Sequence, residues 1–468
     1  MKRIEVAFLI AVIFAILVSC GTTNNSLADF LKDTNHMRQQ GVSSPWEESE
    51  KLLLQDFIDS NTAVDSAFSD TQLQELCSPG SEQGVDSSQL VEDVDVLFQL
   101  LKETYGAYFY FGGDQTFDTA KQQILDEVHL LQDSKITPRA IESLLASYLS
   151  TIIKDSHFVI GSTRISTGSQ LYPYQVPNLY FDSPLAAYKE YMGLTLTPDG
   201  IIKYAFVATS KDGKDLPKTA IVDQKTVFLD WTQMEPFKPS ELSYYDTSTV
   251  DGIDIITSRS MLYSSESVDV LEQFASSGAQ YRDNRSLILD LRGNNGGNSA
   301  YAMSWLQNFL GTEFPVKQMF TQRISAPFCS YVSSPGSLYD STFSTWIDNQ
   351  HDPWVSQIME GKQQKNDCIF FVLVDKNVVS AAEDFIAWLR TVENVLIVGS
   401  NTGGTSVCGN ICYFYLPNSK LMVRFGTSLT FYEGLENRDG IGFYPDLWVD
   451  PSVSLNYVLR LCKQSGLS

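Results

Sequence analysis

The 468-residue chain has little of what most often marks a metal or nucleic-acid site. It contains four histidines, His36, His129, His157 and His351, none spaced from another as a ligand pair, so no metal is expected. The GxSxG elbow, the HExxH helix and the GxxxxGK phosphate loop are all missing. Basic residues are scarce: 33 Lys and Arg stand against 56 Asp and Glu, a formal charge of −23 that repels phosphate backbones. Nucleic acid is therefore not an expected partner. Seven cysteines are too few for a disulfide framework, although Cys408 and Cys412 lie close enough in sequence to bridge a tight loop. The apolar run from Val6 to Val18 is too short to cross a bilayer.

What is present suits a folded, exported protein. Hydrophobic residues make up 43% and charged ones 19%, enough apolar material to offset the entropy of ordering, and the length suggests two or three packed units. Lys2 and Arg3 precede the apolar run, which ends Leu17-Val18-Ser19-Cys20. This ending resembles a bacterial lipobox, implying a signal peptide over residues 1–19 and a lipid on Cys20. The expected location is the bacterial cell envelope, outside the cytoplasm, with the lipid as the membrane contact.

Composition divides the rest. Residues 20–89 read as a tether with a helical segment from Trp46 to Ile58, and residues 90–159 as a small helical domain. In that domain Val94, Leu97, Phe98 and Leu101 form one apolar face. Thr137-Pro138 caps a second helix whose stripe begins at Ile141 and leads toward Asp155-Ser156-His157. Residues 160–280 look mainly β, with short alternating runs such as Thr219 to Trp231, and their role is open. From 281 to 468 apolar strands alternate with helices. Ser286 to Leu291 leads into the turn Gly293 to Gly297 and a helix with Ala300, Met303, Leu306 and Leu310 on its apolar face. Cys368 to Val374 leads into the helix Ala381 to Val392, then the strand Val395 to Val398. Such alternation predicts an α/β core with a partly parallel sheet.

Three segments stand out: LILDLRGNNGG (287–297), VDKNVVSAAEDF (374–385) and LENRDGIGFYPD (435–446). Together they resemble the tail-specific, or carboxyl-terminal processing, peptidase family. The resemblance implies a Clp protease/crotonase-like core and identifies Ser380, between a buried strand and a helix, with the family's nucleophile. Physically, a serine there sits at a helix N-terminus, where unpaired amides and the helix dipole favour an oxyanion. Glu383, three residues on, also fits a capping box with Ser380.

The family's best-known branch places a lysine in the TxGK turn after the next strand, where this chain reads Thr402-Gly403-Gly404-Thr405. Lys420, the nearest downstream lysine, falls in a predicted hairpin. A second branch, similar to the tricorn protease core, uses serine, histidine and glutamate. Here Asp155-Ser156-His157 resembles its D-x-H motif and Glu436-Asn437 its E-N motif. Histidine titrates near pH 6.5 and can accept the serine proton. The expectation is a lipoprotein serine endopeptidase with Ser380, His157 and Glu436 as triad. Ala381 with Gly296 or Gly297 would form the oxyanion hole, proteins or peptides would be the substrates, and no cofactor is required. The alternative is a non-catalytic ligand- or peptide-binding lipoprotein on the same fold. Oligomeric state cannot be read from the sequence.

Overall fold

The computed structural model describes residues 26–59, 66–131, 135–166, 170–240, 243–339 and 341–467. The expected signal peptide and Cys20 lie outside the described residues. Among these no helix is long and apolar enough to cross a membrane.

The core is a ten-stranded mixed sheet with a parallel centre. Ile253–Thr257, Ser286–Asp290, Ile369–Val374 and Val395–Gly399 run parallel in that order, followed by Leu447–Trp448 and Met192–Leu196. The central strands are near-continuous apolar runs because both faces are covered. Side chains alternate between two cores: Leu287, Leu289, Phe370 and Val372 face one, Ile288, Phe371 and Leu373 the other. The first core is closed by the helices Val268–Ser277, Ser299–Leu310 and Ala381–Leu389. On Ser299–Leu310 the buried stripe is Ala302, Trp305, Leu306 and Phe309, not the expected Ala300, Met303, Leu306 and Leu310. Turning the helix this way buries the rings of Trp305 and Phe309, which carry more apolar area than Met303 or Leu310.

The middle segment is mainly β, as expected. Its strands join the core sheet at two places: Met192–Leu196 pairs with Leu447–Trp448, and Ile253–Thr257 pairs with Ser286–Asp290. The sheet thus runs through the boundary drawn at residue 280. Thr219–Val222 and Lys225–Phe228 form a separate hairpin. The helical unit, Ser87–Thr104, Gly113–Leu130 and Pro138–Leu149, packs Val94, Leu97, Phe98 and Leu101 on a second, six-stranded sheet containing Cys408–Tyr415 and Met422–Phe431.

Residues 27–43, expected within a tether, are a helix docked on the core. Leu27, Phe30 and Leu31 enter the second core, and Arg38 reaches Asp446 at 2.5 Å and the carbonyl of Val395. The apolar contacts recur at helical spacing within a mostly polar segment, which is why composition alone concealed them. The helix expected over Trp46 to Ile58 spans Glu48–Asp59. Cys408 and Cys412 are free and occupy one extended strand, so the tight loop that a bridge would close does not exist.

Candidate active site

The strand Ile369–Val374 ends at Asp375, a buried carboxylate that accepts the N–H groups of Gly293, Phe237 and Asn377. The chain then turns into the helix Ala381–Leu389 with Ser380 as its N-cap residue, at φ 56° and ψ −128°. A serine in this region costs about 1–3 kcal/mol and persists only where its surroundings over-determine it. Those surroundings are visible. Val379 donates its N–H to the carbonyl of Asn294, Gly403 donates to Val378, and the Ser380 carbonyl receives the N–H of Glu383 at 2.6 Å. The Ser380 hydroxyl makes no capping bond, so the capping-box role is not realised.

Glu383 is fully buried and turned elsewhere. It accepts from the Thr402 hydroxyl at 2.5 Å and from the N–H groups of Gly404 and Thr405 at 2.9 and 2.6 Å. Burial pushes its carboxyl upward, while these donors favour the ionised form. Lys376 holds the same turn from its carbonyl side, with Nζ donating to Thr402 and Gly403, and also to Gly440, at 3.0–3.2 Å. Burial lowers its ammonium to about 8. The sequence reading overlooked Lys376, although it sits four residues before Ser380 in the highlighted segment.

The turn at 402–407 also carries the histidine segment. Ser156 donates its hydroxyl to the Gly404 carbonyl and its N–H to Asp439, whose other oxygen accepts from Ser406 and Val407. Serine helix and histidine segment thus rest on one turn, although among the described residues no hydrogen bond joins Ser380 to His157. His157 is 6% exposed, and its Nδ1 is buried without a hydrogen-bond partner among the described residues. Burial, then Arg424 and Arg164, pushes its pKa down to about 3.

Glu436 lies in a loop docked on the histidine segment through Asn437, which donates to the Lys154 carbonyl at 2.8 Å. Its own side chain is exposed and, among the described residues, has no bond to His157. The E-N motif therefore reaches the site while its carboxylate stays at the rim.

Asn294, buried, shapes the glycine turn: its Oδ1 accepts the N–H of Gly296 at 2.9 Å and its Nδ2 donates to Ser258. Gly296 therefore has its N–H committed. At φ 82° its bare Cα also faces Ser380, and an added Cβ would come within 2.9 Å of the serine Cβ. Gly297, at φ 135°, is exposed, and neither its N–H nor that of Ala381 has a partner among the described residues. The turn is braced from below by Asp290, bound by both Arg259 and Arg292 and held at about 2. Among the described residues no group of three or more His, Cys, Asp or Glu could hold a metal ion.

Residues 255–449 match the model of peptidase family S41. That segment, less than half of the chain, is similar to peptidase family S41. The chain is a serine-type peptidase, a hydrolase. Among solved structures it is similar to the photosystem II D1 C-terminal processing protease, at 13% identity over 82% of this chain and 98% of that one, TM-score 0.40. It is also similar to a peptidase from Parabacteroides merdae, at 16% identity over 81% and 96%, TM-score 0.41. A lipoprotein from Streptococcus agalactiae is similar at 14% identity over 82% and 99%, TM-score 0.38. No curated protein is similar enough to match the chain.

Proposed function

We propose that this S41-like peptidase is an exported lipoprotein of the bacterial envelope that cleaves internal peptide bonds through an acyl-enzyme on Ser380, as in the tricorn-like branch. Ser380 Oγ attacks the substrate carbonyl carbon and its proton passes to His157. As the tetrahedral intermediate collapses, the C–N bond breaks and His157 returns that proton to the leaving amine. Water repeats the sequence to release the acid. The N–H groups of Gly297 and Ala381 receive the developing oxyanion. Glu436, exposed at the rim, is proposed as an acidic member that favours the imidazolium through its charge rather than through a direct bond to the ring.

The observation that carries this reading is the state of Ser380: left-handed backbone, a hydroxyl that does not cap its helix, and two unpaired N–H groups in the adjoining segments. A structural serine would relax into the cap. The test is labelling with a fluorophosphonate probe beside hydrolysis of an unstructured protein. Labelling and cleavage should both vanish in Ser380→Ala. A folded enzyme that takes no label would return the chain to the binding-lipoprotein reading. For the anchor, Cys20→Ala should move the signal-cleaved protein from the detergent phase to the aqueous phase.

A further inference from the structure

We propose that Asp155 is the positioning carboxylate of His157, holding the imidazole with its proton on Nδ1 and leaving Nε2 free to take the Ser380 proton. This inference rests on the reading of Ser380 and His157 as nucleophile and base. Asp155 Oδ1 lies 3.9 Å from His157 Nδ1, and among the described residues no other carboxylate comes within ion-pair distance of that ring. The carboxylate is itself fixed, since Oδ1 accepts the His157 backbone N–H at 2.8 Å and Oδ2 accepts the Tyr105 hydroxyl at 3.1 Å. Asp155 is fully buried and His157 nearly so.

Two physical arguments converge on this pairing. A buried ring nitrogen without a partner costs about 1–3 kcal/mol, and closing the gap to a charge-assisted bond requires only about 1 Å of movement. The second argument concerns the imidazolium that forms when Ser380 gives up its proton. Arg424, which donates to the His157 carbonyl, and Arg164 on the neighbouring strand both oppose that cation. A negative charge on the other side is needed to offset them, and Asp155 is placed there: burial pushes its carboxyl up, while the His157 N–H, Cys408, Tyr105 and Arg424 favour its ionised form. Asp439, the other buried carboxyl nearby, spends its oxygens on the N–H groups of Ser156, Ser406 and Val407. Cys408, whose backbone carbonyl also faces the ring and favours its protonated form, and Tyr105 complete the neighbourhood, and their side chains contribute no counter-charge while protonated.

The test uses the full chain. Ring ¹⁵N spectra, with His157 assigned by loss of its signals in His157→Gln, should show Nδ1 protonated and Nε2 as the bare nitrogen in the resting wild type. The opposite tautomer overturns the inference, and this measurement needs no Asp155 variant to fold. In kinetics, Asp155→Asn should lower kcat by on the order of 10²–10⁴-fold with KM little changed, and Asp155→Glu should recover part of the loss. A folded Asp155→Asn enzyme within threefold of wild-type kcat overturns it too, provided Ser380→Ala and His157→Ala are inactive. Activity retained by those two variants would instead sink the catalytic reading itself, whatever the tautomer.

Discussion

Thr405 gives its backbone N–H to the buried carboxylate of Glu383 at 2.6 Å. The residue at this position is therefore locked to the first turn of the serine helix, and its side chain is 7% exposed. A lysine there would join Lys376 in a buried turn whose two facing carboxylates, Glu383 and Asp439, already accept several donors each. Thr405→Lys should lower stability and should not restore peptide hydrolysis to His157→Ala. Recovery above about a tenth of wild-type turnover would show that a serine–lysine geometry survives, one decade being about 1.4 kcal/mol of barrier.

Because Ser380 and His157 are proposed to act in the same step, their losses should not add. Each alanine variant should lower kcat by several orders of magnitude, and the double variant should be little worse. Lys420, in the turn between Cys408–Tyr415 and Met422–Phe431, should be replaceable by alanine with little effect. Full multiplication of the two losses would place the residues in separate steps.

The environment of His157 changes the pH profile expected from an ordinary histidine. With its pKa pushed down to about 3 by burial, Arg424 and Arg164, the imidazole stays neutral well below pH 6.5. A kcat/KM profile should therefore lack the usual rise near pH 6.5. Stability follows the opposite side of the same linkage. Between about pH 6.5 and 3 the unfolded chain binds the proton that the folded ring refuses, so stability falls as pH drops through that window. His157→Gln should show a weaker acid loss in urea melts. An equal loss in both proteins would remove His157 as its source.

Gly296→Ala is expected to be far more damaging to turnover than its size suggests. The added Cβ would meet the Val379 carbonyl at 2.8 Å and Ser380 Cβ at 2.9 Å, in a left-handed conformation that alanine resists. Ser380, the proposed nucleophile, must shift, so kcat should fall at least a hundredfold, a displacement of about 1 Å sufficing. Fluorophosphonate labelling rates would report the same loss.

The docked N-terminal helix makes a separate prediction about stability. Arg38→Ala removes the charged partner of Asp446, which keeps only the Ile397 N–H on that oxygen, and the Arg38 bond to the Val395 carbonyl, and should destabilise the fold by about 3 kcal/mol in urea unfolding. A change below about 0.5 kcal/mol would mean that the Arg38–Asp446 pair contributes no more than a surface pair.

Much of the catalytic half was legible because its signals are local. The runs at 286–291, 368–374 and 395–398 are too apolar for anything but buried strands, and the structure has strands there within one residue of those limits. What stayed hidden depends on long-range packing. Lys376 reads as an ordinary loop lysine until carbonyls from residues 402, 403 and 440 converge on it. Asp155 was read only as part of a motif, since its distance from an unpaired ring nitrogen is a property of the folded turn. The helix at 27–43 reads as polar until a surface exists for Phe30 and Leu31 to cover.

The unbroken sheet from Tyr172–Phe181 to Asp246–Val250 limits how this enzyme can breathe. The middle strands meet the core at two places, Thr195 against Trp448 and Ile253–Thr257 against Ser286–Asp290, so they cannot swing away about one hinge without breaking both contacts. Access to Ser380 must instead come from segments that end on the sheet, the glycine turn and the loop at 433–442. Slow amide exchange should therefore continue across the strands at 253–257, 286–290, 369–374 and 395–399 without a seam, while turnover is gated by local excursions at the rim.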